Sequence, residues 1–204
     1  MNTFEIAGRA IGPGHPCYII AELSANHGHK LENALALIRI AKESGADAIK
    51  LQTYRADTLT IDCDAEPFMI GHGTAWEGRR PYDLYKEAFL PWEWHEALFE
   101  EAKSLGIHCF SSPFDNSAVD LLEKLGTPAY KIASFELVDH GLIARCAVTG
   151  KPMIMSTGMA SEEEIAEAVQ VARNNGCKQL ALLKCVSAYP APVEEMNLST
   201  INDL

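Results

Sequence analysis

Three lysines sit where a lysine is costly. Ala48-Ile49-Lys50-Leu51-Gln52, Tyr130-Lys131-Ile132-Ala133-Ser134 and Leu180-Ala181-Leu182-Leu183-Lys184 read as strands, and each carries one ammonium group. Taking such a charge out of water costs several kcal/mol unless an anion or a set of acceptors compensates it. A fourth apolar run, Cys17-Tyr18-Ile19-Ile20-Ala21, ends on the carboxylate of Glu22. Any one of these lysines could simply pair with an internal carboxylate. Together, with hydroxyls supplied by Ser112, Ser156 and Ser187, they suit the oxygens of a phosphate or carboxylate ligand. Thr157-Gly158 directly after a strand adds to this, because glycine lets backbone amides approach an anion. Burial can also lower a lysine pKa and make the amine a Schiff-base nucleophile, and spacing does not separate the two chemistries. Glu22 and Glu136 either balance the lysines, or one of them is a general acid or base.

The elements that position these groups repeat. Residues 3–12 predict a hairpin turning at Ala7-Gly8. Six strand-then-helix units follow, with strands predicted at 17–22, 46–52, 107–111, 130–134, 152–156 and 180–184. Leu31, Leu35, Ile38 and Ala41 form a helical stripe that stops at Gly45; Trp94, Leu98, Ala102 and Leu105 form another that stops at Gly106. Ser161 with Glu164 predicts a capping box. The excursion from Thr53 to about Arg80, with Gly71, Gly73, Trp76 and Gly78, is long enough to be a binding loop or lid. Alternation of this kind predicts an α/β fold with parallel strands covered on both faces. Polar groups stand at every predicted strand end: Glu22, Lys50, Ser111, Ser134, Ser156 and Lys184. That favours the (β/α)8 TIM-barrel type over an open doubly wound sheet, which would gather its chemistry at one crevice. A barrel needs eight units, so residues 1–204 are expected to be a partial barrel domain.

Composition narrows the function. A net charge of -11 over 204 residues argues against a nucleic-acid surface, yet a few pocket lysines can still set a local positive field. The apolar runs are too short for a membrane span, and the first residues lack the features of a signal peptide. The six cysteines form no CxxC pair and suit free thiols in a reducing cytoplasm. His27 and His29 fit solvated loop histidines, and Trp92, Trp94 and Phe99 fit the core side of a helix.

In a series of ordered motifs the chain resembles the sialic acid synthase family, over almost its whole length. The motifs are Ala21-Glu22-Leu23 with Asn26-His27-Gly28, Lys50-Leu51-Gln52-Thr53, Ser111-Ser112-Pro113-Phe114, Pro128–Glu136, Gly150-Lys151-Pro152, Ser156-Thr157-Gly158-Met159 and Tyr189-Pro190. Trp76-Glu77-Gly78, Tyr82-Asp83-Leu84-Tyr85 and Pro91-Trp92-Glu93-Trp94-His95 are similar to its pseudaminic acid branch, with the legionaminic and N-acetylneuraminic branches as alternatives. The resemblance implies condensation of phosphoenolpyruvate with an N-acetylated amino sugar, here a 2,4-diacetamido-2,4,6-trideoxy hexose, with C–O cleavage. It implies that Lys50, Ser112, Lys131, Ser134, Ser156 and Ser187 bind phosphoenolpyruvate and that Glu22, Lys50 and Lys131 are catalytic. Gln52, Phe114, Glu136 and Tyr189 would contact the sugar. Leu90 stands where the family suggests a capping threonine, an expected loss of about 1 kcal/mol.

The family's divalent metal, Mn2+ or Mg2+, is implied for the intact enzyme. Its histidines lie in Ser-Asp-His and Lys-His-Phe contexts that do not occur here, so no metal ligand is expected in this chain. The last two barrel units and a C-terminal antifreeze-like domain are also expected to be absent. Intact members are expected to be cytoplasmic homodimers. This chain would then hold most of the phosphoenolpyruvate site and turn over little or not at all. A Schiff-base aldolase and a non-catalytic anion-binding fragment are the competing expectations.

Overall fold

The computed structural model describes residues 3–71, 76–188 and 190–204. His72, Gly73 and Tyr189 lie outside the described residues. An antiparallel hairpin comes first, β1 (Phe4–Ile6) and β2 (Arg9–Ile11), turning through Ala7 and Gly8 as expected. Then come β3 (Ile20–Glu22), α1 (Leu31–Glu43), β4 (Ala48–Thr53), α2 (Ala56–Leu59), α3 (Pro81–Ala88) and α4 (His95–Leu105). The remainder holds β5 (His108–Pro113), α5 (Asn116–Lys124), β6 (Tyr130–Ile132), α6 (His140–Ala147), β7 (Met153–Ser156), α7 (Glu162–Asn174) and β8 (Leu180–Leu183). The six strands β3 to β8 stand in sequence order, as consecutive βα units of the barrel type do. Two compact units divide the chain, residues 20–109 and residues 1–19 with 110–204.

Within residues 20–109 the helical stripes do what their spacing requires. Ala34, Ile38 and Ala41 of α1 and Leu98 and Ala102 of α4 are buried in one cluster with Leu23, Ile49, Leu51 and Leu90. Each fully buried leucine contributes roughly 2 kcal/mol of apolar transfer. Gly106, at φ 63°, ends α4 in the left-handed conformation that glycine adopts cheaply. Leu90 proves to be a core residue and not a cap position: Pro91 caps a short 3-10 turn, Trp92–Trp94, that leads into α4. The excursion after β4 folds back on itself, with Ile70 and Gly78–Arg79 exchanging backbone bonds of 2.9 Å. Arg80 reaches Asp62 and Asp83 at 2.7 Å across the same stretch.

In the other unit the helix starts are held by side chains. The Asp115 carboxylate accepts from the Ser117 and Ala118 amides, and Asp139 accepts from Leu142. Ser161 and Glu164 form the expected capping box. Tyr130, Ile132, Met153 and Met155 are fully buried, and the Tyr130 hydroxyl donates to Glu123 Oε1 at 2.6 Å.

Several expectations fail for physical reasons. The first strand begins only at Ile20, and the preceding Ile19 is half exposed where a covered strand would bury it. β8 is not covered on both faces, since its residues are intermediate or exposed throughout. His27 is buried at 1% exposure, edge-on to the Trp94 ring and within a cluster containing His29, so it is no solvated loop residue. Burial lowers its pKa, and His29 adds to the effect. Trp92 is not core either: its indole N–H donates to the Tyr54 carbonyl, and the Arg55 guanidinium lies 4.1 Å over its ring. Among the described residues, no helix is long and apolar enough to cross a membrane.

His95 supplies a test of this packing. It is fully buried, with Nδ1 3.2 Å from the Pro91 carbonyl and Nε2 2.8 Å from Thr53 Oγ1. That pattern fits a neutral ring donating through Nδ1 and accepting at Nε2, and burial lowers its pKa to about 4. The unfolded ring takes its proton near pH 6.5, so the stability is complete above that pH and is lost as pH falls towards 4. The whole window is worth roughly 3 kcal/mol. Melting curves between pH 7 and 4 should therefore fall less steeply for His95→Gln than for wild type, and parallel curves would contradict this.

Candidate anion site

The sharpest cluster lies in the unit of residues 1–19 and 110–204. Lys131 occupies the middle of β6, level with Ile154 of β7, and is 6% exposed. Its Nζ donates to the Ile132 carbonyl at 2.7 Å and to Ser156 Oγ at 2.6 Å. Ser156 is the last residue of β7 and is itself buried. The strand places the ammonium, and the neighbouring strand's carboxyl end brings the hydroxyl to it.

A second group stands just beyond. A methyl placed on Gly158 would lie 2.3 Å from Ser187 Oγ and 2.5 Å from Ser134 Oγ. Two hydroxyls from separate loops thus converge on the one residue that has no side chain. Gly158 is two residues past Ser156, which keeps their Cα atoms within about 7 Å of each other. The need for glycine here is one of space. Hydroxyls and an ammonium gathered in this way are groups that can donate to an anion's oxygens.

The other expected residues are placed as follows. Ser112 is buried in β5, and its Oγ has no hydrogen-bond partner among the described residues. Glu136 lies in the 3-10 turn Phe135–Val138 after β6. Burial raises its pKa, with Lys131 opposing the shift, and its Oε2 is buried without a partner among the described residues. Phe114 is half buried at the end of β5. Lys184 does not sit inside a strand: β8 ends at Leu183, and the Lys184 Nζ donates to the Cys185 carbonyl at 2.9 Å. It lines an open cleft with Thr157, Gly158 and Leu182.

In residues 20–109, Lys50 and Glu22 are direct register partners on β4 and β3, and their charged groups are 3.0 Å apart. The lysine is buried while the glutamate side chain is 55% exposed. The two form an ion pair, with one end of the pair still open to solvent. Gln52 follows two residues on and projects to the same face of β4.

One participant escaped the sequence reading. The Cys185 thiol is 3.2 Å from Ser156 Oγ, so it belongs to the Lys131 cluster. Its position next to Lys184 at a strand end was the available signal, and a cysteine in an apolar setting reads more readily as inert packing.

Comparison with known proteins agrees with this architecture. The NeuB family model matches residues 37–204. Pseudaminic acid synthase of Campylobacter jejuni strain 81-176 is 48% identical over 187 residues, covering 92% of this chain and 54% of that protein. The N,N'-diacetyllegionaminic acid synthase of Legionella pneumophila is 38% identical, covering 95% and 55%. The crystal structure of an N-acetylneuraminic acid synthetase from Leptospira borgpetersenii, in complex with citrate, superposes with a TM-score of 0.84 at 32% identity, over 99% of this chain and 65% of that one. The chain thus spans about half the length of the pseudaminic and legionaminic acid synthases.

Gly158→Ala tests the site directly. The added methyl must displace both hydroxyls, and the Ser134 Cβ at 2.7 Å leaves it no room. Affinity for inorganic phosphate, measured calorimetrically, should fall by at least about tenfold, equivalent to ~1.4 kcal/mol. Unchanged affinity would remove Ser134 and Ser187 from the site.

Proposed function

The chain belongs to the NeuB family, and on that premise we propose that it serves the condensation of phosphoenolpyruvate with a 2,4-diacetamido-2,4,6-trideoxy hexose to a nonulosonic acid and phosphate. The observation that carries this reading is the buried Lys131 ammonium bonded to Ser156, beside the two serine hydroxyls at Gly158. The pseudaminic product is favoured over the legionaminic one by 48% against 38% identity.

In the proposed chemistry the enol carbon of phosphoenolpyruvate bonds to the aldehyde carbon of the open-chain sugar. Water adds at the neighbouring carbon, the C–O bond to the phosphate breaks, and phosphate leaves with the bonding electrons. Lys131, Ser112, Ser134, Ser156 and Ser187 are assigned to the phosphate and carboxylate oxygens, where fixed donors stabilise charge as it develops on the leaving group. Little reorganisation is then needed at the moment of reaction. Lys50 is assigned to an anion and Glu22 to the reacting centre. Gln52, Phe114, Glu136 and Tyr189 are assigned to the sugar, and burial raises the pKa of Glu136 against the opposing effect of Lys131.

The family implies a divalent metal; among the described residues no three His, Cys, Asp or Glu side chains converge. The Lys131 Nζ donates to two oxygens, which an ammonium and a neutral amine both can do, so trapping decides between this reading and the Schiff-base alternative.

Calorimetric titration with phosphoenolpyruvate tests the proposal. The wild-type chain should bind, and Lys131→Ala should lose at least about tenfold in affinity, since truncating one partner of a buried charged contact costs 2 kcal/mol or more. A folded wild-type chain that binds nothing would overturn the assignment. Borohydride trapping of a ligand on Lys131 would replace it with the aldolase reading.

A further inference from the structure

Ser156 has more contacts than a simple anion-binding serine needs. A hydroxyl has one proton to donate and two acceptor positions. The Lys131 ammonium, which can only donate, fills one of those positions at 2.6 Å. The Cys185 sulfur stands at the other, 3.2 Å away.

The thiol proton has a second potential acceptor, the Leu183 carbonyl at 3.5 Å. That carbonyl is already occupied. It accepts from the Thr157 amide at 3.1 Å and from Thr157 Oγ1 at 3.0 Å, which uses both of its lone pairs. The shorter and less crowded choice for the thiol is therefore Ser156 Oγ. Lys184 holds the same stretch, because its Nζ donates to the Cys185 carbonyl. The sulfur is thus placed by the chain on both sides of it.

We propose that Cys185 is a positioning residue for the anion site: its thiol takes the second acceptor position of Ser156, so that the Ser156 hydroxyl proton is turned outward to a bound phosphate or carboxylate. The inference rests on the anion-site reading of this cluster and adds to it the control of one donor's direction. No covalent step is involved. With both acceptor positions filled, the Ser156 proton is confined to the one remaining direction, and the hydroxyl meets the ligand already oriented. Without the thiol, the hydroxyl has an open acceptor position and a wider choice of directions, and ligand binding must order it. A hydroxyl in place of the thiol would serve the same purpose, because it too can donate to Ser156.

A double-mutant cycle on the full chain, read by calorimetric titration with phosphoenolpyruvate, tests this. Cys185→Ala should weaken binding about three- to tenfold, the range of a single neutral hydrogen bond. Cys185→Ser should restore most of the affinity. In a Ser156→Ala background, Cys185→Ala should have no further effect, since the partner it orients is gone. Near-UV circular dichroism of each variant establishes that it retains the native fold. Equal losses from Cys185→Ala in both backgrounds would make the cysteine a packing residue and overturn the inference, as would wild-type affinity in Cys185→Ala alone. In both of those outcomes wild type still binds, so the anion site stands while the positioning role falls. A wild-type chain that fails to bind overturns both.

Discussion

The arrangement depends on one buried charge. An ammonium in the middle of β6 can persist only because oxygens meet it there, and the first of these is the hydroxyl that ends β7. That requirement reaches back through the fold. β6 and β7 must be parallel neighbours in a fixed register, with Lys131 level with Ile154, for the side chain to reach two residues along. A one-residue slip would send it to the opposite face. Behind the strand the register is braced by Tyr130, whose hydroxyl bonds to Glu123, the carboxylate that Lys151 also grips. The apolar packing and the polar anchor together hold a group that water would otherwise reclaim.

The two buried lysines solve the same problem differently. Lys50 has a carboxylate directly across from it in Glu22, and that carboxylate is more than half exposed. Lys131 meets neutral oxygens at hydrogen-bond distance, while the Glu136 carboxyl acts on it electrostatically. A buried charge of one sign inside a chain of net charge -11 is consistent, because the field in a low-dielectric site is set by the nearest groups.

Much of this was legible in the chain. Lys50 and Lys131 announced themselves as charges inside apolar runs, and Ser156 was marked by its place at a strand end. The capping box at Ser161 and the stop at Gly106 are local rules that local sequence can state. Lys184 misled because its strand reads as apolar as the others, yet β8 is only partly covered and ends one residue earlier. His27 misled for the opposite reason: a loop residue is buried only when a distant element such as Trp94 packs against it, and nothing local records that. Cys185 gave only a faint signal by its place beside Lys184, since its proposed role depends on the Leu183 carbonyl being saturated by Thr157, a contact 26 residues apart in sequence.

Gly158 carries a consequence for how such a site could change over generations. Every other amino acid would bring a Cβ into the space held by Ser134 and Ser187. Shortening Ser187 to alanine removes the atom at 2.3 Å, but the Ser134 Cβ at 2.7 Å would still obstruct. A lineage leaving glycine at this position must therefore turn both hydroxyls aside and shift the Ser134 backbone as well. The room available for one methyl group thus ties three separate positions of the chain to one another's history.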